Sequence, residues 1–425
     1  MRALAAFACT LLLCAAHADE LKRAGFLGVQ IAPHPQGIAI RNLIEGGTAK
    51  AAGLREGDVI TRFNGERATG PADFVPAVAK LHAGDRAAIE FLRGGETRTT
   101  EATIQPKPYE SSPGMDTRYL SVEINGNRRR LIVTMPRAPG RHPAILYLTG
   151  IGCFSQESVG VQSNEAKLLY GLTEAGFVTM RVEKSGIGDS EGPSCSGAAY
   201  DLHEEIAGYV AGLLTLRQYE FVDPGKLFVM GLSIGGVEAP LVAEQAPVKG
   251  VIVLNTVARP FLDYLRENRR RQLVLRNVAY DEVEDRLALN DRCNRAFLVE
   301  KRSAEAIVAE EAACGDFIGY PAPVEYMRQW AALVPAKEWK RVEAPVLVVS
   351  GERDFVALAS DAPYLRDMIE SFHPGRATLA TIPTMDHYLD RVASIEEALE
   401  KSGGGPFEPL VLEAVRAWLK RVAAS

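Results

Sequence analysis

The sequence predicts an α/β fold: a mostly parallel sheet with helices on both faces and a helical cap, preceded by a small separate unit. Six short apolar runs alternate with helical stretches from residue 144 onward. A G-x-S-x-G motif centred on Ser233 directly follows one of these runs. A proline- and serine-containing joint at residues 106–113 separates this region from the chain before it. Buried strands spaced by helices are typical of parallel βαβ units, which gives the fold class.

Residues 1–18 are predicted to be a secretory signal peptide. Arg2 supplies a positive charge, residues 3–13 are almost wholly apolar, and an A-x-A cleavage pattern ends at Ala18. This stretch is too short to span a bilayer, and no later stretch is long and apolar enough to do so. Cys14 leaves a lipoprotein as the alternative, although Leu13 before it fits lipid attachment poorly. We expect a soluble bacterial protein that is exported to the periplasm or secreted.

Export changes the interpretation of the cysteines. Cleavage would leave Cys153, Cys195, Cys293 and Cys314, which in an oxidising compartment predict two disulfides with three possible connectivities. We expect Cys153–Cys195, because both follow neighbouring strands, and Cys293–Cys314, because both lie in the predicted cap. Free thiols and a Cys153–Cys293 link are the alternatives. Cysteine and histidine spacings do not fit zinc, so no metal site is predicted.

Residues 19–107 form the predicted N-terminal unit. The Phe26-Leu27-Gly28 segment and the G-L-x-x-G-D-V-I stretch from Gly53, followed by an N-G turn, resemble a bacterial, protease-associated PDZ domain. The resemblance covers about the whole unit. It implies a groove that captures a protein C-terminus on backbone amides and adds the peptide as a strand. It also implies that Phe26, Leu27 and Gly28 form the carboxylate-binding loop; a plain strand-entry turn is the alternative.

The second domain is predicted at 117–425, after a linker at 108–116. It is expected to open with an antiparallel hairpin around Asn125-Gly126. The parallel strands are predicted at 144–148, 177–182, 227–230, 251–254, 346–350 and 377–382, with helices such as 162–175 and 200–218 between them. Residues at about 260–340 interrupt this rhythm with helical, charged sequence, which indicates a cap inserted before the fifth parallel strand.

Ser233 is the candidate nucleophile because its motif lies between an apolar strand and a helix. Gly231 and Gly235 allow the helix backbone to pass close to the strand, so that the hydroxyl projects from a strained turn. The helix N-terminus offers N–H groups and a favourable dipole to an oxyanion. G-x-S-x-G alone is a weak motif, but this context favours a nucleophile over an ordinary small-residue turn.

The candidate base and acid follow from their positions along the chain. His387 follows the last predicted strand, where a base must arrive, whereas the other histidines precede strands, begin a helix or lie in the first unit or the signal. Asp354 follows the preceding strand and would accept a hydrogen bond from the far ring nitrogen of His387. Glu352, Asp386 and Asp390 stay open as alternative acids.

The order Ser233, Asp354, His387 around such a turn resembles the α/β-hydrolase superfamily, close to its secreted esterase and prolyl-oligopeptidase-like branches. The resemblance covers residues 115–425 approximately. It implies that Ser233 is acylated, that His387 acts as general base and Asp354 as its acid partner, and that water then releases the acyl group. It implies no cofactor.

The same resemblance implies an oxyanion hole built from backbone N–H groups. The candidate donors are Ile151, in the loop after the first parallel strand, and Ile234, after the nucleophile; Gly152 is a close second to Ile151. The family usually has His-Gly where this chain has Thr149-Gly150. This departure is mild, because the donor is a backbone group. Residues 181–192 resemble a glycine-rich esterase loop and are expected to frame the site.

Carboxylic ester hydrolysis is the leading function, on a small ester or peptide substrate. The alternatives are a serine peptidase of prolyl-oligopeptidase-like type and a non-catalytic PDZ adaptor whose hydrolase domain is degenerate. The net charge of −6 implies no large basic surface, so nucleic acid is not an expected partner. Every catalytic candidate follows residue 140, so we expect the PDZ-like unit to modulate the hydrolase and to be dispensable for its chemistry.

Overall fold

The computed structural model describes residues 21–158 and 162–424, so the predicted signal peptide lies outside the described residues. The first unit contains β1 (Gly25–Phe26), β2 (Val29–His34), β3 (Gly37–Leu43), β4 (Val59–Phe63), β5 (Glu66–Arg67), β6 (Arg86–Arg93), β7 (Glu96–Thr103), β8 (Gln105–Pro106), α1 (Thr48–Ala51) and α2 (Pro71–Ala79). Its main sheet has the order β2-β3-β4-β6-β7, and β2 is an edge strand. Asn64 and Gly65 have positive φ, as the hairpin turn between β4 and β5 requires.

The second unit is built on an eight-stranded sheet. Its strands are β9 (Met115–Ile124), β10 (Asn127–Pro136), β11 (His142–Leu148), β12 (Val178–Val182), β13 (Val222–Leu232), β14 (Gly250–Leu254), β15 (Val346–Gly351) and β16 (Ala377–Ile382). They lie in the order β16-β15-β14-β13-β11-β12-β10-β9. Strands β9 and β10 form the predicted antiparallel hairpin, and β10 also pairs antiparallel with β12. The six strands β12, β11, β13, β14, β15 and β16 pair in parallel. The carboxyl ends of these parallel strands therefore share one edge.

Helices cover both faces of this sheet, which confirms the predicted fold class. They are α3 (Asn164–Glu174), α4 (Leu202–Leu216), α5 (Ile234–Ala243), α11 (Asp361–Phe372), α12 (Ile395–Lys401) and α13 (Pro409–Ala424), with the cap helices α6 to α10 described below. Val229 and Val253 pack on one face with α4, α5 and α11. Phe228 and Ile252 pack on the other face with α3 and α13. This alternation is the period of two that a strand buried on both sides must follow.

The cap joins β14 to β15. It contains α6 (Phe261–Leu275), α7 (Tyr280–Asn294), a π-helical turn (Arg295–Val299), α8 (Ala304–Glu310), a 3-10 turn (Ala312–Asp316), α9 (Val324–Ala332) and α10 (Pro335–Trp339). Phe261 and Trp330 stack with ring centroids 3.9 Å apart in the core of the cap. Ile234 and Val237 of α5 belong to the same apolar cluster, so the cap packs directly on the helix that follows Ser233.

Both predicted disulfides are present. Cys153–Cys195 joins the loop after β11 to the segment after β12, and Cys293–Cys314 closes a loop inside the cap. Both lie in the apolar cluster that joins the cap to α5. Cys153–Cys195 therefore holds two segments at the carboxyl edge of the sheet together, and Cys293–Cys314 cross-links the cap.

A buried charge cluster joins the two units. Arg23, before β1, donates to Asp189 Oδ2 at 2.8 Å and also pairs with Glu157, and both acids belong to the second unit. Lys107 Nζ lies 2.9 Å from Glu157 Oε2, and Arg130 Nε lies 2.9 Å from Asp189 Oδ2. Asp189 and Glu157 have almost no exposed side-chain surface. The first unit thus supplies cations that neutralise buried acids of the second, which argues against its being structurally dispensable.

We predict that Arg23→Met destabilises the whole chain. The substitution leaves Asp189 and Glu157 buried with fewer cationic partners, and breaking a buried pair in this way costs about 3–5 kcal/mol. Chemical denaturation followed by tryptophan fluorescence measures the effect. Arg98→Met is the matched control, since Arg98 pairs with Glu96 on the exposed surface of the first unit. Equal denaturation midpoints for the two variants would contradict the prediction.

Candidate active site

Ser233 lies at a strained turn between β13 and α5. Its backbone has φ 57° and ψ −120°, a conformation that residues with side chains rarely adopt. Its N–H donates to Leu254 O at 2.9 Å, and Thr256 Oγ1 donates to its carbonyl at 2.8 Å. Two bonds from the end of β14 therefore hold the strained residue, and the hydroxyl is displayed at the carboxyl edge of the sheet.

Close backbone contact makes this turn possible. A Cβ on Gly231 would lie 2.1 Å from the oxygen of Gly235, and a Cβ on Gly235 would lie 2.4 Å from the oxygen of Leu148. Neither position has room for a side chain, because the obstructing atoms are backbone. The two glycines of the sequence motif thus bring α5 against β13 and β11.

The structure brings Ser233, His387 and Asp354 together. His387 Nε2 lies 3.1 Å from Ser233 Oγ, and His387 Nδ1 lies 2.8 Å from Asp354 Oδ2. Asp354 and His387 are both buried. The hydroxyl of Ser233 can donate to Nε2 of His387, while the N–H at Nδ1 donates to the carboxylate of Asp354. This is the hydrogen-bond chain expected of a nucleophile, a base and an orienting acid.

Asp354 is held by backbone donors as well as by His387. Its Oδ1 accepts from the N–H groups of Val356 at 2.7 Å and Ala357 at 2.8 Å, which leaves Oδ2 for the imidazole. Of the alternative acids, Glu352 is exposed. Asp386 accepts from backbone N–H groups at 2.9 Å, including that of Asp390. Asp354 is thus the acid that contacts His387.

The environment of His387 raises its pKa. Burial disfavours the charged imidazolium and lowers the pKa, but the negative charge and the hydrogen bond of Asp354 outweigh burial. Asp386 and Glu165 add smaller favourable charges. The arrangement therefore stabilises a proton on His387 once it has been taken up, which is what a general base requires.

Asn255, which no sequence motif indicated, joins the loops that carry His387 and Asp354. It follows β14 with φ 47°, donates to Asp386 O at 2.8 Å and accepts from Gly351 N at 2.8 Å. It is almost fully buried. An asparagine directly after a buried strand was the available signal, because asparagine tolerates positive φ and can satisfy two backbone groups at once.

The predicted oxyanion donors lie on the two sides of Ser233. Ile234 is the first residue of α5, so its N–H has no partner within the helix. Ile151 follows Gly150, whose Cβ position would be 3.8 Å from the Cβ of Ser233. Within the described residues, the Ile151 N–H donates to no protein acceptor. Gly152, the other candidate, has φ 122°.

Charged residues that the sequence analysis did not assign to the site also lie beside it. Glu165 accepts from Tyr147 Oη at 2.7 Å and from Thr149 Oγ1 at 3.5 Å. Burial raises the pKa of Glu165, and hydrogen bonds from Tyr147 and Thr149 oppose that rise. Two clefts, of about 190 and 450 Å³, both reach Glu165. Lys184, two residues after the end of β12, donates to Gly150 O at 3.2 Å.

The predicted carboxylate-binding loop, Phe26-Leu27-Gly28, faces the second unit. It lines a groove of about 360 Å³ together with Phe74 and Val78 of α2. The far wall belongs to the glycine-rich segment 186–188 of the second unit. Gly28 has φ 71°, and a Cβ there would lie 2.5 Å from the Cα of Gly47, so the loop is closely packed.

The described residues contain neither a metal-binding cluster nor a membrane-spanning helix. Residues 21–158 and 162–424 contain no group of three or more histidine, cysteine or acidic side chains placed to hold a metal ion. Among the helices in these ranges, none has the length and apolar character needed to cross a membrane.

Fold and geometry together define an α/β-hydrolase of the serine type with an N-terminal PDZ domain. The profile described as "PDZ domain" matches residues 25–104. The profile described as "Serine aminopeptidase, S33" matches residues 162–390, more than half of the chain. The chain belongs to this serine aminopeptidase S33 family.

Individual relatives match one domain or the other. Esterase EstD of Thermotoga maritima is 25% identical over 230 residues, which are 54% of this chain and 50% of that protein. A probable periplasmic serine endoprotease DegP-like of Pseudomonas putida is 35% identical over 74 residues, 17% of this chain and 15% of that protein. This chain thus spans half or less of these curated relatives. The solved structure of Est1E from Butyrivibrio proteoclasticus with ferulic acid has 17% identity and a TM-score of 0.48, covering 72% of this chain and 100% of that one.

We predict that Asp354→Asn lowers the pKa of His387. The substitution removes the negative charge that raises this pKa, while the burial that lowers it remains. A pH titration of the imidazole resonances by NMR measures the change. Glu352→Gln is the matched control, because it removes an exposed carboxylate two residues away. A larger drop in the control than in Asp354→Asn would transfer the role of the acid to Glu352.

Proposed function

We propose that this protein is an exported serine hydrolase that cleaves carboxylic esters through Ser233, His387 and Asp354. The observation that carries the proposal is the continuous hydrogen-bond chain, with 3.1 Å from Ser233 Oγ to His387 Nε2 and 2.8 Å from His387 Nδ1 to Asp354 Oδ2. The relative named Esterase EstD supports ester substrates over other acyl compounds.

The reaction follows from these positions. Ser233 Oγ attacks the ester carbonyl carbon while His387 Nε2 takes the hydroxyl proton, and the carbonyl oxygen becomes an oxyanion that the N–H groups of Ile151 and Ile234 stabilise. His387 then gives its proton to the leaving alcohol, which leaves an acyl group on Ser233. Water attacks this acyl-enzyme with His387 as base again, and the carboxylic acid departs as Ser233 regains its proton.

Three variants test the assignment of roles. We expect Ser233→Ala and His387→Ala to lower kcat by on the order of 10⁶-fold, and Asp354→Asn by on the order of 10⁴-fold. Turnover of p-nitrophenyl acetate gives these values, and circular dichroism checks that each variant is folded. A fluorophosphonate probe should label the parent chain but not Ser233→Ala. Absence of labelling in a folded parent chain would instead favour the non-catalytic adaptor.

A peptidase is the second candidate, because the matching family is described as a serine aminopeptidase. Ester and amide substrates pass through the same acyl-enzyme, so the site geometry does not separate them. A panel of p-nitrophenyl esters of increasing chain length, measured beside aminoacyl p-nitroanilides, decides between them. We expect higher kcat/KM for the esters; a consistent preference for the anilides would assign the enzyme to the peptidases.

The PDZ domain is proposed to bind a protein or peptide C-terminus. The Phe26-Leu27-Gly28 loop would hold the carboxylate on its backbone amides, and the peptide would pair with the edge strand β2. Export is part of the proposal and has three supports: the A-x-A pattern ending at Ala18, the two disulfides, and the DegP-like relative whose name describes it as periplasmic.

We predict that this groove distinguishes a free carboxylate from an amide. A fluorescent peptide with an apolar C-terminal residue should bind the full chain at least tenfold more tightly than the same peptide with an amidated end, because amidation removes the charge that the loop would capture. Fluorescence anisotropy measures both affinities. Equal affinities would mean that the loop is only a strand-entry turn.

A further inference from the structure

Lys184 is a buried cation that the proposed reaction does not use. It follows β12, and only 2% of its side chain is exposed. Its Nζ lies 3.2 Å from the carbonyl oxygen of Gly150, in the loop beside Ser233. A lysine ammonium is rarely buried so completely unless partners satisfy it, so its contacts indicate what it holds in place.

Lys184 belongs to a network that reaches the oxyanion loop at two consecutive residues. Its Nζ lies 2.8 Å from Glu205 Oε1 in α4, which neutralises its charge. Tyr209 donates to the same carboxylate at 3.4 Å, and its hydroxyl accepts from the Thr149 N–H at 3.3 Å. The network therefore fixes the N–H of Thr149 and, one residue later, the carbonyl of Gly150.

The carbonyl of Gly150 and the N–H of Ile151 belong to one peptide group. A trans peptide is planar, with its C=O and N–H pointing in opposite directions, so holding the carbonyl also sets the direction of the N–H. The ammonium further polarises the peptide group and strengthens that N–H as a donor.

We propose that Lys184 is a positioning residue that aims the Ile151 N–H at the oxyanion formed on attack by Ser233. The inference rests on the proposed function. Lys184 acts through the backbone of Gly150 and does not touch the substrate. Because the oxyanion bond forms fully only in the transition state, Lys184 should affect kcat far more than KM.

The test compares Lys184→Met with Lys226→Met on p-nitrophenyl acetate. Lys226 pairs with Asp223 near the opposite end of β13, so it controls for loss of a lysine alone. We expect Lys184→Met to lower kcat about 10- to 100-fold with KM within about twofold, and to weaken phenylboronic acid, which forms a tetrahedral adduct with the serine, by a similar factor. A folded Lys184→Met with unchanged kcat overturns the proposal, and so does an equal effect in Lys226→Met.

A second variant separates positioning from charge balance, because Lys184→Met removes the cation that neutralises the buried carboxylate of Glu205. Lys184→Met/Glu205→Gln removes both charges and relieves that penalty. The proposal predicts that the double variant folds yet keeps the kcat defect, since Gly150 still lacks its donor; full recovery of kcat overturns it. Ser233→Ala, run in parallel, monitors the reaction itself. If it turns over as fast as the parent chain, the proposed function fails, whereas a normal Lys184→Met removes only this inference.

Discussion

The close approach of helix α5 to strands β13 and β11 is the constraint on which the rest of the site depends. Gly231 and Gly235 leave no space for a Cβ, and Ser233 adopts a backbone conformation that costs about 1–3 kcal/mol. Two hydrogen bonds of the Ser233 backbone, one to the carbonyl of Leu254 and one from the hydroxyl of Thr256, hold this conformation. Once the turn is fixed, the parallel sheet delivers the loops of β11, β15 and β16 to the same edge, where His387 and Asp354 meet Ser233.

Topology explains why so much of the site could be predicted. In a parallel sheet every strand ends at one edge, so a serine, an aspartate and a histidine that each follow a strand must lie near one another. Strand periodicity and the scarcity of histidine were enough to choose His387. The fold class followed from the same pattern, and Asn125-Gly126 and Asn64-Gly65 located two hairpins because only a few residues adopt such turns.

Contacts between distant segments could not be predicted in this way. The choice of Asp354 over Glu352 depends on which of the two carboxylates turns inward in the loop after β15. Lys184 lies in the glycine-rich segment 181–192, whose sequence pattern indicated only that the segment frames the site. The role of Lys184 depends on Glu205, which lies in helix α4, and the sequence pattern does not show that pairing. Such contacts join residues that are far apart in the chain, and neither secondary-structure propensity nor motif spacing predicts them.

The buried cluster around Arg23 changes the picture of two independent modules. The chain before β1 enters the hydrolase unit and neutralises Asp189, which also binds Arg130. Segment 186–188 forms one wall of the groove that Phe26, Leu27 and Gly28 line, so the PDZ domain is both a structural support and a neighbour of the loops around Ser233. Boundaries between independent domains usually fall where few contacts cross, whereas here buried ion pairs cross between the two units.

The Cys153–Cys195 bond joins two surface loops. Surface loops usually tolerate insertions and deletions, each loop independently of the others. Here, an insertion after β11 would pull on the segment after β12, and the same holds in reverse. Efforts to redesign the substrate range by loop grafting would therefore have to exchange both loops as one cassette, with the cross-link kept as its fixed point.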